Sequence, residues 1–445
     1  MLKRLLKPVL GPTYRNIYLP LLDRSGMLTF RWSVNLARAL RILPQSTSIA
    51  QEAEERFLIV NLTPHLGDSI MMMPMIESLR KAHPQSRIEC AVEASIAPLL
   101  REMPIVDCVY ALRLGNIPPI TRALVTHRIL RIAQYYRQQM RCSAPTTCVM
   151  PRWGDDLFRS NILGYLTGAR RRIGFASDVS AAQQHPLPYR DALLTELIHG
   201  GRGVHEPEKF CLLLREAGLI PNANSGEAST QVIASLQHIA DKTDWPNLAE
   251  RVGVDRNLPF AVVAPGASMP KRQWPIEYWA EVMADLRAKD MKVVVLTGAP
   301  DANLAKQLHE LSGGWATLVA GKTSVVESVA LISHAKMFFG NDSGPGHIAG
   351  ALGVPTFILF IAEENCDPDG PSAPERIHPI GPHVVFCRPA KCLPPCVSCC
   401  EAEEAHCIKT ILPSDVIEST SRKRTSDGFV TTMTGRTGRE IEHTA

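Results

Sequence analysis

Three short turns in the chain carry the residue types that a group-transfer site needs. The richest is Asn341-Asp342-Ser343-Gly344-Pro345-Gly346-His347. Gly344 and Gly346 let the backbone approach a ligand, and a helix following the turn offers unpaired N–H groups and a positive dipole end, a seat for a diphosphate. Asp342 and Ser343, with His347 in the first helical turn, have the chemistry to hold sugar hydroxyls and phosphate oxygens. The same residues also suit a plain structural role, in which Asp342 or Ser343 caps the helix and His347 packs.

The second turn, Thr63 to Asp68, places Asp68 at a helix start. A carboxylate there can accept a proton from an attacking hydroxyl, and the positive helix end favours its ionised form. An Asp in that position also serves as a cap, and His65 is a rival base. The third turn, Pro265 to Pro275, offers Ser268 as a hydroxyl and Lys271 or Arg272 as the cation for a leaving diphosphate. A solvated charge pair on a loop is the alternative there.

Each turn follows a short apolar run that reads as a strand: Phe57 to Leu62, Phe260 to Ala264 and Met337 to Gly340. Further strand-like runs lie at 87–92, 106–112, 146–151, 172–176, 292–296 and 356–360. Helical stretches fall between them at about 69–82, 122–140, 155–167, 208–217, 276–289, 304–311, 324–335 and 347–352. Ser324 and Glu327 have capping-box spacing. This alternation predicts two doubly wound α/β halves with a parallel sheet each and a ligand cleft between them. The turn-rich Pro221 to Gly226 marks the expected boundary, giving an N-terminal extension 1–55, domains at 56–225 and 226–418, and a polar, disordered tail 419–445.

The composition fits a globular protein, with 445 residues, 45% hydrophobic and 21% charged. The net charge of +4 is uneven, because residues 1–50 carry +7 and the remainder −3. A near-neutral body argues against nucleic acid as partner. Residues 27–43 form a basic amphipathic pattern able to lie on an anionic membrane surface or to pack on the body. No apolar run approaches the ~20 residues of a membrane span, and the basic start lacks a signal core, so a cytoplasmic protein is expected, peripheral on a membrane at most.

The three turns sit in longer segments that resemble glycosyltransferase family 9, the lipopolysaccharide heptosyltransferases. GDSIMMMPMIESLRKAHPQSRIECAV is similar to the family's start, PGASMPKRQWP to its phosphate-binding turn, and GKTSVVESVALISHAKMFFGNDSGPGHIAGALGVPTFILF to its long C-terminal block. The resemblance implies a GT-B architecture and inverting, metal-independent transfer of heptose from an ADP-sugar to a lipid-linked saccharide. By motif, Asp68 matches the base, Ser268 a phosphate-binding hydroxyl, and Asp342, Ser343, Gly344 and His347 the sugar- and diphosphate-binding turn. Two positions depart. The family's phosphate-binding Lys falls on Arg272, with Lys271 one step too far, and its acidic donor-binding residue has only a displaced counterpart in Asp301. A nucleotide-sugar epimerase and a non-catalytic nucleotide-sugar binder are the rival readings.

No DxD-like pair lies in a strand-end turn; Asp155-Asp156 and Asp367-Pro368-Asp369 come nearest. Six of the twelve cysteines (Cys387, Cys392, Cys396, Cys399, Cys400 and Cys407) crowd into one segment. Cys396 and Cys399, with Cys392 and Cys400, Cys407 or His406, form a candidate zinc set. The lack of a second, well-separated C-x-x-C and the bunched prolines favour disulfides or free thiols over zinc.

Overall fold

The computed structural model describes residues 55–112, 145–153, 159–179, 191–222, 227–397, 400–421 and 431–434. The expected helix at 122–140, the basic N-terminal pattern with its membrane reading, Asp155-Asp156 and Cys399 lie outside these.

The first sheet is built from β1 (Arg56–Asn61), β2 (Arg87–Glu93), β3 (Cys108–Leu112), β4 (Thr147–Met150), β5 (Arg171–Phe175) and β6 (Glu196–Ile198). All are parallel, in the order β3-β2-β1-β4-β5-β6. β1 is buried on both faces, as a central strand under helices on each side should be. Its helices are α1 (Leu66–Met71), α2 (Met73–Ala82), α3 (Ala97–Arg101), α4 (Arg159–Leu166) and α5 (Glu206–Glu216).

The second lobe opens with α6 (Glu227–Thr230), α7 (Ala234–Lys242) and α8 (Trp245–Val252), then β7 (Phe260–Ala264), α9 (Ile276–Ala288), β8 (Lys292–Thr297), α10 (Ala302–Leu311) and β9 (Thr317–Ala320). It continues through α11 (Val325–Ser333), β10 (Met337–Asn341), α12 (Gly344–Ala351), β11 (Thr356–Leu359), α13 (Pro374–Ile377), β12 (Val384–Arg388), α14 (Pro413–Ser421) and β13 (Thr431–Thr434). This sheet is also all parallel, ordered β13-β12-β11-β10-β7-β8-β9. Counted from its first strand, it repeats the order of the first sheet and adds one strand at the edge. In each sheet the order therefore reverses between two strands, β1 and β4 in one and β7 and β10 in the other, and loops at those points open a crevice.

Several expectations need correction. The single helix expected over 69–82 begins at Leu66 and is divided at Met72, because Pro74 has no N–H to give the Ile70 carbonyl four residues back. Helix α12 begins three residues earlier than expected, at Gly344. The strands β6, β9 and β12 were not anticipated: β6 has three residues and alternates poorly, and β9 and β12 border Gly-rich and Cys-rich stretches. The tail expected to be disordered contains the end of α14 and the strand β13, which pairs Thr431–Thr434 with Val385–Arg388.

The lobes are joined by buried polar contacts. Lys209 on α5 is fully buried and reaches Asp369 (3.4 Å) and Glu206 (3.7 Å), with its amine 3.5 Å from the Trp153 ring centre. Arg376 pairs with Glu206 at 2.9 Å and also faces Trp153. The His205 and His378 rings stack at 3.7 Å. Asp369 thus helps hold the lobes together, accepting from the Gly203 N–H at 2.9 Å, while Asp367 closes the turn beneath it by accepting from the Asp369 N–H at 3.0 Å.

Candidate active site

Loops from both reversal points meet in the crevice. Asp68 is the third residue of α1 and does not cap it; the cap position belongs to His65, which is exposed and makes no side-chain cap bond. The Asp68 carboxylate accepts hydrogen bonds from Thr63 Oγ1 (3.0 Å) and from the Arg152 guanidinium. Burial raises its pKa, but Arg152, His65 and the Thr63 bond outweigh burial and leave it below the ordinary value. Asp68 is therefore ionised at neutral pH.

Arg152 follows β4, the strand beside β1, so sheet order brings it to Asp68 across 84 positions of sequence. Sequence reasoning missed it. Its position immediately beyond a strand's carboxyl end was the available signal.

On the opposite wall, β10 ends in Asn341, whose side chain ties two loops together. Asn341 Nδ2 donates to the Pro265 carbonyl (2.6 Å) and Oδ1 accepts from the Trp274 N–H (3.2 Å). Asp342 is buried and pairs with Arg272 at 2.7 Å. Burial, and then the like charge of Asp68, raise the Asp342 pKa against the pull of Arg272 and His65. Arg272 also donates to Ser372 Oγ at 3.0 Å. Lys271 turns the other way and donates to the Cys400 carbonyl at 2.7 Å. Of the two candidate cations, only Arg272 reaches the Asp342 wall.

Ser343 occupies the cap position of α12 without making a cap bond, and its hydroxyl has no hydrogen-bond partner among the described residues. Ser343 thus holds the cap position without the side-chain cap bond of the plainer reading, while His347 is packed as that reading had it. Pro345 lacks an N–H, so the Gly344 amide is the leading donor at this helix end. His347 is buried, its Nδ1 lacks a partner among the described residues, and burial lowers its pKa to about 4, so the ring is neutral. Asp342 Oδ1 lies 4.0 Å from its Nε2.

Two glycines make the approach of the walls possible. A Cβ on Gly67 would meet the His347 ring at 2.7 Å, and one on Gly344 would meet Leu66 at 2.8 Å. Ser268 lies exposed on the turn after β7, and the Asp301 carboxylate packs directly against Gly266 of that turn. The crevice thus gathers Asp68, Arg272, Asp342, Ser343, Gly344 and His347, with Ser268 and Asp301 at one side. This is an ionised carboxylate facing a helix start and a guanidinium, suited to deprotonating a hydroxyl opposite a departing anion.

The family model described as Glycosyltransferase family 9 (heptosyltransferase) matches residues 154–406. Lipopolysaccharide heptosyltransferase 3 of Escherichia coli is 24% identical over 305 residues, 67% of this chain and 82% of that protein. Lipopolysaccharide heptosyltransferase 2 of Salmonella typhimurium is 24% identical over 322 residues, 71% of this chain and 83% of that one. Among solved structures, a glycosyl transferase family 9 protein of Veillonella parvula superposes with a TM-score of 0.60 at 19% identity, covering 77% of this chain and 88% of its own. The E. coli heptosyltransferase WaaC with ADP gives 0.56 at 19%, covering 75% and 93%. The fold is the two-lobed GT-B architecture of these structures, and the match of the family model across more than half the sequence means that this chain belongs to glycosyltransferase family 9, the heptosyltransferases.

Proposed function

We propose that this protein transfers a heptose from ADP-heptose to a saccharide of the lipopolysaccharide core, with inversion and without a metal ion. The carrying observation is the pairing of reversal points, which sets the ionised Asp68 on one wall against Arg272 and the Ser343-Gly344 helix start on the other. Asp68 takes the proton of the acceptor hydroxyl as its oxygen attacks the anomeric carbon. The bond from that carbon to the diphosphate breaks, and ADP departs with the electron pair. Arg272, the free Ser343 hydroxyl and the Gly344 amide meet the growing charge, the work a divalent cation does elsewhere. The ion pair with Asp342 fixes the Arg272 plane before the donor arrives. Ser268 adds a hydroxyl to the phosphates, and Asp301 accepts from donor hydroxyls.

The finer donor assignment is supported by the WaaC structure, which was solved with ADP. The +7 segment at residues 1–50 supplies contact with an anionic membrane face, where the lipid-linked acceptor resides. Its deletion is expected to move the protein from anionic liposomes to the supernatant; unchanged sedimentation rules this out.

The test of the reaction is Asp68→Asn, assayed with ADP-heptose and a core acceptor. Turnover is expected to fall about 10²–10⁴-fold, while ADP affinity by calorimetry stays within about twofold. Full turnover in the variant removes Asp68 as the base.

A further inference from the structure

The Cys-rich segment between β12 and α14 holds one turn of 3-10 helix, Cys407–Thr410, and no strand among its described residues. Such a stretch needs another source of order. Three sulfurs and one imidazole nitrogen supply a candidate: Cys396, Cys400, His406 and Cys407 bring their ligand atoms within 4.8 Å of one another. His406 Nδ1 stands 3.6 Å from Cys396 Sγ and 3.4 Å from Cys407 Sγ. A tetrahedral ion with Zn–S of about 2.3 Å and Zn–N of about 2.0–2.1 Å places S and N about 3.6 Å apart. Cys400 and Cys407 are buried, at 1% and 0% exposure.

A second observation is independent of the spacing. Backbone N–H groups of Glu401 and Leu393 point at Cys396 Sγ and Cys407 Sγ, both at 3.4 Å. Thiols accept hydrogen bonds weakly and metal-bound thiolates accept them well.

We propose that Cys396, Cys400, His406 and Cys407 bind one thiophilic divalent cation, zinc by ligand set, which pins this segment against the phosphate-binding turn. On binding, the three thiols release their protons to solvent and no redox step occurs. The pinned segment presents two carbonyls to that turn: Cys400 to the Lys271 amine at 2.7 Å and Ile411 to the Trp274 indole at 2.9 Å. Arg272 lies between those two residues. The ion would therefore act as a staple behind the donor wall and take no part in bond breaking. From the missing second C-x-x-C and the bunched prolines, the sequence predicts disulfides or free thiols; the described cysteines of the segment are free of disulfides, and the proposed ion sits among those thiols. In the fold the third and fourth ligands come from the adjacent residues His406 and Cys407.

The test uses full-length protein made in medium containing zinc and iron and purified without chelator. Metal analysis is expected to give about one zinc, or one mononuclear iron in its place, per chain. Cys400→Ser should lose it and the remote Cys148→Ser keep it. Should Cys400→Ser not fold, 1,10-phenanthroline applied to the wild type gives the same readout. Metal removal should lower Tm and raise hydrogen exchange at residues 265–275. A metal content far below one per chain, a disulfide between Cys392 and Cys407 in the intact protein, or full metal in folded Cys400→Ser overturns the site. Unchanged exchange at 265–275 overturns the staple.

Discussion

At the scale of single residues, the ion pair of Asp68 with Arg152 sets the charge of the proposed base. The guanidinium holds the carboxylate ionised, so the acid limb of activity should lie below the ordinary carboxylate range. Arg152→Gln removes the largest influence opposing burial, so the Asp68 pKa rises. The acid limb of kcat/KM is then expected to move to higher pH; a profile that does not move separates Arg152 from the base. Asp68 was legible as a candidate in sequence because it stands in the first turn of the helix after the first strand, in a recognisable motif. Arg152 was not, because its partnership exists only once β4 is laid beside β1. The choice between Lys271 and Arg272 was equally out of reach, since adjacent residues on a 3-10 turn point to different walls and only the fold shows which wall is which.

At the scale of elements, the contact of α1 with α12 sets the width of the crevice. Gly67→Ala puts a methyl group into the His347 ring, while alanine suits the α1 helix better than glycine by about 1 kcal/mol. The lobe should keep its stability, yet the walls must part. A Tm within about 2 °C of wild type, with turnover reduced about 10–100-fold, is the expected result. Unchanged kinetics would show that the walls do not touch during catalysis. The capping box of α11, Ser324 with Glu327, is present as its spacing predicted, since a cap is a local device. Strand β13 was invisible for the opposite reason. Its place at the sheet edge comes from main-chain pairing with β12, which polar residues such as Thr431 and Thr432 provide as well as apolar ones.

At the scale of the whole molecule, repeated strand order explains why four loops distant in sequence converge, and the alternation of strands and helices made that architecture readable. What the pattern left unseen was the fastening between lobes, built from charged and aromatic residues with no periodicity. His205, His347 and His378 are buried there and along the cleft. Burial depresses all three pKa values, to about 4 for His347 and His378 and well below the ordinary value for His205. An unfolded chain binds these protons from about pH 6.5 downward and the folded one does not, so this contribution to stability is complete above pH 6.5 and is lost as pH falls toward 4. The three rings act in the same direction, so their losses add. Thermal melts are expected to decline steeply across that window; a flat Tm from pH 6.5 to 4.5 contradicts it.

The indole of Trp153 grows from one lobe and carries on its face a guanidinium, Arg376, that belongs to the other. Any hinge motion that lifts the second lobe strips that cation from the ring and changes the polarity the excited indole senses. The seam between the lobes therefore holds a native fluorophore, and a change in the colour or intensity of its emission on adding a nucleotide-sugar would report movement of one lobe against the other without an attached dye.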